Sequence, residues 1–246
     1  MVVKTNPQEI TERDYLEHYR LFDISANELW SNITRSDYKA DMWYNKDRNR
    51  IVRAMIGTKW EGIKVLANGT GSGSAQWADN EVLDDLGAKQ VVKTNLIAGK
   101  GVDFVCDACK LPFEDSSFDA VYCREVIEHV IDDEPLLSEA QRVLKSGGWF
   151  MITTTNGLHV LPNGWHHIRA YSPKQFLDKL AQYNFNVVEK KGNMPNIAIT
   201  LLPLMRGGYW PTVLEEFRSL SERWDKVEDS YYFGGELYVL CQKEAV

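Results

Sequence analysis

Short apolar segments alternate with helical segments in this 246-residue chain from Gly62 onward. Because parallel strands need crossover connections, this alternation predicts a parallel, doubly wound α/β sheet. Helices are predicted over Ala75–Leu86, Pro135–Leu144 and Pro173–Tyr183, with Gly147-Gly148 ending the second of them. Strands are predicted at seven segments: Lys64–Ala67, Gln90–Thr94, Val102–Cys106, Ala120–Cys123, Trp149–Thr154, Asn186–Glu189 and Leu237–Cys241.

Two regions lie outside this alternation. Residues from Thr11 to about Ile56 have helical patterning, and we expect residues 1–60 to form an N-terminal helical cap before a domain over 61–246. Before the last strand, residues 194–233 contain one more predicted helix and are expected to form a lid insertion. Within the cap, Arg48, Arg50 and Arg53 are expected to be spread over a solvated helix face.

Charge and hydropathy narrow the class of protein. The chain has 28 Lys and Arg against 35 Asp and Glu, a net charge of −7, which argues against a nucleic-acid partner. No apolar segment approaches the roughly 18 residues that cross a bilayer, and the first ten residues do not resemble a secretory signal. We therefore expect a cytoplasmic protein without a membrane partner.

The four cysteines give little sign of a metal site. Cys106 and Cys109 form one CxxC pair, but neither a second pair nor a spaced histidine pair accompanies it. We therefore predict no metal, four reduced thiols, and a packing role for this pair near a strand end.

A glycine-rich turn follows the first predicted strand and contains Gly69, Gly71 and Gly73. Glycine allows a sharp turn and a close approach between backbone and ligand, and the amides at the following helix start point toward that ligand. The pattern alone is also that of an ordinary turn, and the dinucleotide fingerprint has its third glycine one position later. Asn95 follows the second strand, where nucleotide-binding folds of this type place an acid on the ribose.

The segment from Val102 to Val130 is more specific. It contains Asp107-Ala108, Leu111-Pro112-Phe113, Ser117-Phe118-Asp119 and Glu128-His129-Val130, and Arg142-Val143-Leu144-Lys145 then precedes Gly147-Gly148. In this order and spacing, the motifs resemble those of the class I S-adenosylmethionine-dependent methyltransferases, particularly the bacterial small-molecule group. The resemblance extends from about Gly62 to Phe185.

This resemblance implies a Rossmann-like seven-stranded sheet that is mostly parallel, with an antiparallel last strand. It also implies methyl transfer from S-adenosylmethionine to a hydroxyl or amine of a small-molecule acceptor. The implied cofactor residues lie at strand ends: Gly69, Thr70, Gly71 and Gly73 near the methionine part and ribose, Asn95 and Leu96 at the ribose, Asp107 and Ala108 at the adenine, and Cys123 and Arg124 beside the sulfonium.

Two positions depart from the family pattern, since Ala67 and Asn95 stand where acids are usual. An amide lacks the charge that strengthens ribose hydrogen bonds, so weaker cofactor binding is expected. Two alternatives therefore stay open. One is an enzyme of this fold that performs another reaction at the sulfonium, such as an intramolecular cyclisation, and the other is a non-catalytic binding protein.

The candidate catalytic residues are histidines that follow the fourth and fifth strands: His129, His166 and His167. A neutral imidazole suits removal of a proton from the acceptor, because its ordinary pKa is about 6.5. The alternative for His129 is a packed side chain, and for the adjacent pair His166 and His167 it is a solvated loop.

Overall fold

A computed structural model of the chain describes residues 47–70, 81–99, 101–158, 167–193 and 230–245. Most of the predicted cap and lid therefore lies outside the described residues, as do Gly71, Gly73 and His166. The division into a cap, a domain and a lid stays a prediction.

The described residues form seven strands and five helical segments. The strands are β1 (Lys64–Asn68), β2 (Gln90–Asn95), β3 (Phe104–Val105), β4 (Phe118–Arg124), β5 (Leu144–Thr155), β6 (Phe185–Gly192) and β7 (Glu236–Lys243). The helical segments are α1 (47–56), α2 (81–85), α3 (Asp133–Val143), α4 (Pro173–Gln182) and α5 (Ser230–Phe233).

All seven strands join one sheet in the order β3-β2-β1-β4-β5-β7-β6. The pairs from β3 to β5 are parallel, whereas β7 runs antiparallel between β5 and β6. The predicted Rossmann-like architecture with an antiparallel last strand is therefore confirmed.

Buried apolar side chains cover both faces of the sheet. On one face, the side chains of α3 and α4 pack on alternate residues of β4 and β5, including Val121 and Ile152. On the other face, Val52 and Met55 of α1 pack against Ala67 and Tyr122. The described end of the predicted cap thus packs directly on the sheet.

The prediction that Gly147-Gly148 ends a helix is wrong. Helix α3 ends at Val143, Leu144 is already extended, and both glycines lie within β5. A Cβ on Gly148 would lie 2.9 Å from the carbonyl oxygen of Lys145 and 3.0 Å from that of Asp119. The glycine is therefore needed for close backbone packing beside the irregular pairing of β4 and β5, between Phe118 and Ala120.

Within the described residues, no helix is both long enough and apolar enough to cross a membrane.

Candidate active site

The carboxyl ends of the parallel strands meet along one edge of the sheet. Asn68 of β1 is level with Thr94 of β2 and Cys123 of β4, and Arg124 of β4 is level with Thr153 of β5. Ligands of open α/β sheets bind at this edge, so it is the candidate active site.

The glycine turn begins at this edge, directly after β1. Gly69 has a φ of +71°, and a Cβ there would lie 2.3 Å from Cγ2 of Val126. A larger residue would be strained and would collide with the segment after β4. Thr70 then fixes the turn, because its amide donates to the carbonyl of Thr94 at 3.0 Å and its hydroxyl donates to that of Ala67 at 3.2 Å.

Two buried asparagines support the turn. Asn95 donates from Nδ2 to the carbonyl of Thr70 at 3.3 Å, and its Oδ1 accepts from the amide of Ile97 at 3.3 Å. Asn68 accepts from the hydroxyl of Thr94 at 2.9 Å, whereas its buried Nδ2 has no hydrogen-bond partner within the described part of the chain. Both polar atoms of the Asn95 side chain are thus hydrogen-bonded within the protein. Asn68, which sequence reasoning did not select, keeps an unused donor.

Asp107 is exposed just beyond β3. Its Oδ1 accepts from the amide of Cys109 at 2.8 Å, which fixes the carboxylate in a local turn, and Ala108 between them is half-buried. Cys106 and Cys109 pack against the core, as predicted. Burial and, to a lesser extent, Asp107 raise the pKa of the Cys109 thiol to about 12, so it stays protonated at neutral pH.

Cys123 and Arg124 end β4 and point into the interior. Cys123 belongs to the apolar core on the α3 face. Arg124 donates from Nη1 to Oδ1 of Asn49 at 2.8 Å, which ties β4 to α1. Cys123 and Arg124 would therefore contact the sulfonium through their backbone groups. This role stays a prediction. Leu96, the remaining predicted cofactor residue, is half-buried after β2.

A buried ionic network joins α1 to the ends of β4 and β7. The guanidinium of Arg48 lies 2.9 Å from Oε2 of Glu236 and 3.6 Å from Oε2 of Glu125. Arg48 is only 8% exposed, so the expected solvated face is wrong at this residue. Arg50 and Arg53, whose side chains are 38% and 33% exposed, pair instead with Asp47 and Asp85.

Glu125 is held at the centre of the edge in an unusual backbone conformation. Its φ is +52°, and its carboxylate accepts from the hydroxyls of Thr153 at 2.8 Å and Thr155 at 3.4 Å. Burial acts to raise the pKa of Glu125, but Arg48 and the Thr153 hydroxyl outweigh it and hold the pKa below its usual range. Glu125 is therefore ionised at neutral pH. Strained residues of this kind often mark functional sites.

Glu128 lies next to Glu125 and is fully buried. Its Oε2 accepts from the hydroxyl of Thr154 at 3.1 Å. Burial and then the neighbouring Glu125 carboxylate raise the pKa of Glu128 well above that of an ordinary carboxyl group. The pKa values of the two acids are thus shifted in opposite directions. Such a pair is frequent where an enzyme needs proton transfer.

Two of the three predicted catalytic histidines come together beside these acids. The rings of His129 and His167 are half-buried and pack edge to face, with centroids 4.8 Å apart. Burial lowers the pKa of His167 below 6.5, although Glu125 partly opposes this shift. The imidazole of His167 is therefore neutral at pH 7. The third histidine, His166, lies outside the described residues.

Comparison with known proteins identifies the domain. Residues 66–152 match the family described as "Methyltransferase domain". These residues belong to the class I S-adenosylmethionine-dependent methyltransferases. The methyltransferase domain thus contains β2 to β4, most of β1 and β5, and the motifs quoted above. The cofactor of its family is S-adenosylmethionine.

Individual relatives agree with this assignment. The demethylmenaquinone methyltransferase of Clavibacter sepedonicus is 34% identical over 146 residues, which are 56% of this chain and 59% of the relative. The ubiquinone/menaquinone biosynthesis C-methyltransferase UbiE of Desulfotalea psychrophila is 50% identical over 52 residues, 21% of each chain. This chain therefore covers less than two thirds of the length of either relative.

A solved structure shares the fold of the methyltransferase domain. Phosphoethanolamine N-methyltransferase 2 of Haemonchus contortus, in complex with phosphomonomethylethanolamine and S-adenosylhomocysteine, superposes with a TM-score of 0.58. The match covers 97% of this chain and 61% of the other at 17% identity. At this identity the likeness shows the fold alone.

Proposed function

We propose that this chain transfers a methyl group from S-adenosylmethionine to a hydroxyl or amine of a small-molecule acceptor. The observation that carries the proposal is the grouping of two acids with His129 and His167 at the edge that also carries the glycine turn of a methyltransferase domain. The turn after β1 and the acid after β3 would hold the cofactor, and the groups after β4 and β5 would receive the acceptor.

The described residues fit S-adenosylmethionine at two points. The buried Nδ2 of Asn68 is an unused donor at the end of β1, where a carboxylate or hydroxyl of the cofactor would satisfy it. The exposed carboxylate of Asp107 is fixed by the amide of Cys109 and would accept a hydrogen bond from the adenine amino group. When bound, the cofactor supplies an electrophilic methyl group. The protein then has to align the acceptor and remove its proton.

Proton removal is the task of the histidines under this proposal. A general base works best when its pKa lies near or below the working pH, so that it is neutral when the acceptor arrives. His167 meets this condition because burial lowers its pKa. The ionised Glu125 beside it would stabilise the imidazolium that forms. His129 and His166 are the other candidates, and alanine at the true base is expected to reduce kcat by about a hundredfold.

A carbon acceptor is the second candidate. The D. psychrophila relative is named as a C-methyltransferase and is 50% identical where it matches. The H. contortus neighbour is named as an N-methyltransferase. We favour oxygen or nitrogen here because the buried base and acids suit removal of a proton from a polar group.

Product analysis tests this proposal. The chain is incubated with S-adenosylmethionine carrying a deuterated methyl group and with separate pools of phenols, amines, quinols and bulk tRNA. Label in the phenols or amines, bound to oxygen or nitrogen, is the expected result. Label bound to a quinol carbon would replace the proposed acceptor atom, and efficient labelling of tRNA would overturn the small-molecule assignment.

A further inference from the structure

Three side chains after β4 and β5 form a group with the donor types of a transition-metal site. Glu128, His129 and His167 each offer one ligand atom, and these atoms lie within 4.8 Å of one another. An ion of the zinc class sits about 2.0–2.2 Å from such donors, which places the donors roughly 3.4 Å apart around a tetrahedral ion. Closing the group around an ion needs side-chain movements of about 1 Å, well within the reach of two half-buried imidazoles.

Hydrogen bonds to backbone carbonyls build this group from two separate segments. The amide of Ile168 donates to the carbonyl of Glu128 at 2.9 Å, and Nη1 of Arg169 donates to the carbonyl of Ile127 at 3.1 Å. Within the first segment, the amide of His129 donates to the carbonyl of Val126 at 2.9 Å. The loop after β5 is thus fastened to the turn after β4 beside the three ligands. Their proximity is therefore a fixed feature of the fold.

Glu128 supplies an independent reason to expect a ligand. It is fully buried, its Oε2 accepts from Thr154, and its Oε1 accepts from no described donor, so that Glu125 can pair with Glu128 only when Glu128 carries a proton. A buried polar atom without a partner costs about 1–3 kcal/mol, so such atoms usually have one. Glu125 adds a second carboxylate beside the Glu128 carboxyl group. A cation that replaces this proton would satisfy Oε1 and would offset the repulsion that arises between the two carboxylates once Glu128 is ionised.

We propose that Glu128, His129 and His167 bind one divalent transition-metal ion of the zinc class. Two imidazoles and one carboxylate suit Zn²⁺ and Co²⁺ better than Mg²⁺ or Ca²⁺, which prefer oxygen ligands alone. Three protein ligands leave a position of a tetrahedral ion for water or for an acceptor oxygen. Metal binding stands independently of methyl transfer, but use of the ion in catalysis rests on the proposed function. When the ion is bound, His129 and His167 act as its ligands and the acceptor proton leaves to water, so the role of His167 as a base belongs to the metal-free chain.

The alternative explanation for the buried Glu128 carboxyl group is that it carries a proton instead of binding an ion. A neutral Glu128 would donate a hydrogen bond to Glu125 and need no metal. The variant Glu128→Gln separates the two explanations, because the amide keeps a hydrogen-bond donor and nearly the same shape while it loses the negative charge and the metal-binding oxygen pair. It should therefore remain folded and lose metal affinity.

The experiment is a titration of the tag-free full-length chain with Zn²⁺ by calorimetry, with Co²⁺ absorption in the visible range as a spectroscopic readout. We expect one ion per chain and a d–d band typical of nitrogen and oxygen ligands. Glu128→Gln, His129→Ala and His167→Ala should each weaken binding by at least about tenfold. Glu134→Gln, at an exposed position of α3, is the matched control for Glu128→Gln and should bind as the unmodified chain does.

Two results would overturn this inference: absence of saturable binding at one ion per chain, or unchanged affinity in both histidine variants. If Glu128→Gln does not fold, as judged by circular dichroism, the double variant His129→Ala/His167→Ala decides the question. Calorimetry with S-adenosylhomocysteine on the same metal-free preparations reports on the cofactor site. Failure of the metal site is thereby distinguished from failure of the proposed function.

Discussion

Asp107 is the residue through which the adenine of the cofactor can be tested most simply. Its carboxylate is exposed just beyond β3 and is held by local contacts with Cys109, so its removal should leave the fold intact. A charge-assisted hydrogen bond of this kind contributes about 1.5–3 kcal/mol. We therefore expect Asp107→Ala to weaken S-adenosylhomocysteine binding by roughly 10- to 150-fold in calorimetry.

The control for this variant is Asp178→Ala. Asp178 is an exposed carboxylate on α4 that pairs with Lys174, four residues away on the same helix. Its loss should leave cofactor affinity unchanged. Equal affinity in a folded Asp107→Ala variant would remove Asp107 from the site.

The hydrogen bonds of Asn95 change the effect that is expected of the variant Asn95→Asp. Its sequence position suggests a weak substitute for an acid, and on that basis Asn95→Asp is expected to tighten cofactor binding or to leave it unchanged. In the structure its Nδ2 donates to the carbonyl of Thr70, and an aspartate there would place a carboxylate against that carbonyl. We now expect Asn95→Asp to lower the free energy of unfolding by about 1–3 kcal/mol in urea.

Asn186→Asp, at an exposed position of β6, is the matched control and should change the unfolding free energy by less than about 0.5 kcal/mol. If Asn95→Asp is as stable as the unmodified chain, then the hydrogen bond to Thr70 contributes little to the turn.

His167 can be tested through its titration. Because burial lowers its pKa, the imidazole is expected to titrate below pH 6.5 and to remain neutral from pH 7 upward. Long-range nitrogen–proton NMR correlations, recorded with a chelator so that both ring nitrogens are free, measure this midpoint. A midpoint above 6.5 would mean that Glu125 outweighs burial, and a midpoint above pH 7 would leave most of the His167 imidazole protonated and unable to act as a base at neutral pH.

At the scale of elements, the Arg48 network connects α1 to the ends of two strands. Arg48→Met would leave Glu125 and Glu236 without their shared cation, and breaking a buried ion pair in this way costs about 3–5 kcal/mol. Arg50→Met, on the same helix and partly exposed, should cost less than about 1 kcal/mol. Urea unfolding of the two variants makes the comparison. Similar losses would show that the network does not stabilise the fold.

Sequence patterns predict the strands because each strand is an apolar segment bounded by polar or turn-forming residues. Only local information is needed to find Val65 or Ile152 in the core. Such patterns do not predict the start of β5, since Lys145, Gly147 and Gly148 do not form an apolar segment. Its extension depends on pairing with Phe118, which a local pattern does not contain.

The site is harder to predict because its partners are distant in sequence. Arg48 looks like a surface residue among other charges, and only the fold brings Glu125 and Glu236 to it. Glu125 stands just after β4 and three residues before the Glu-His motif, so its position at a strand end was the one available signal. His129 and His167 can be predicted from the sequence because both follow strands that end at the same edge.

At the scale of the whole molecule, the central claim is that this chain binds S-adenosylmethionine at the carboxyl edge of its sheet. Calorimetry with S-adenosylhomocysteine and S-adenosylmethionine tests it most directly, because neither ligand requires knowledge of the acceptor. We predict one molecule of either ligand bound per chain, with affinity lowered in Asp107→Ala and preserved in Asp178→Ala. Absence of binding heat from both ligands at high micromolar concentration, with folded protein, would contradict the account.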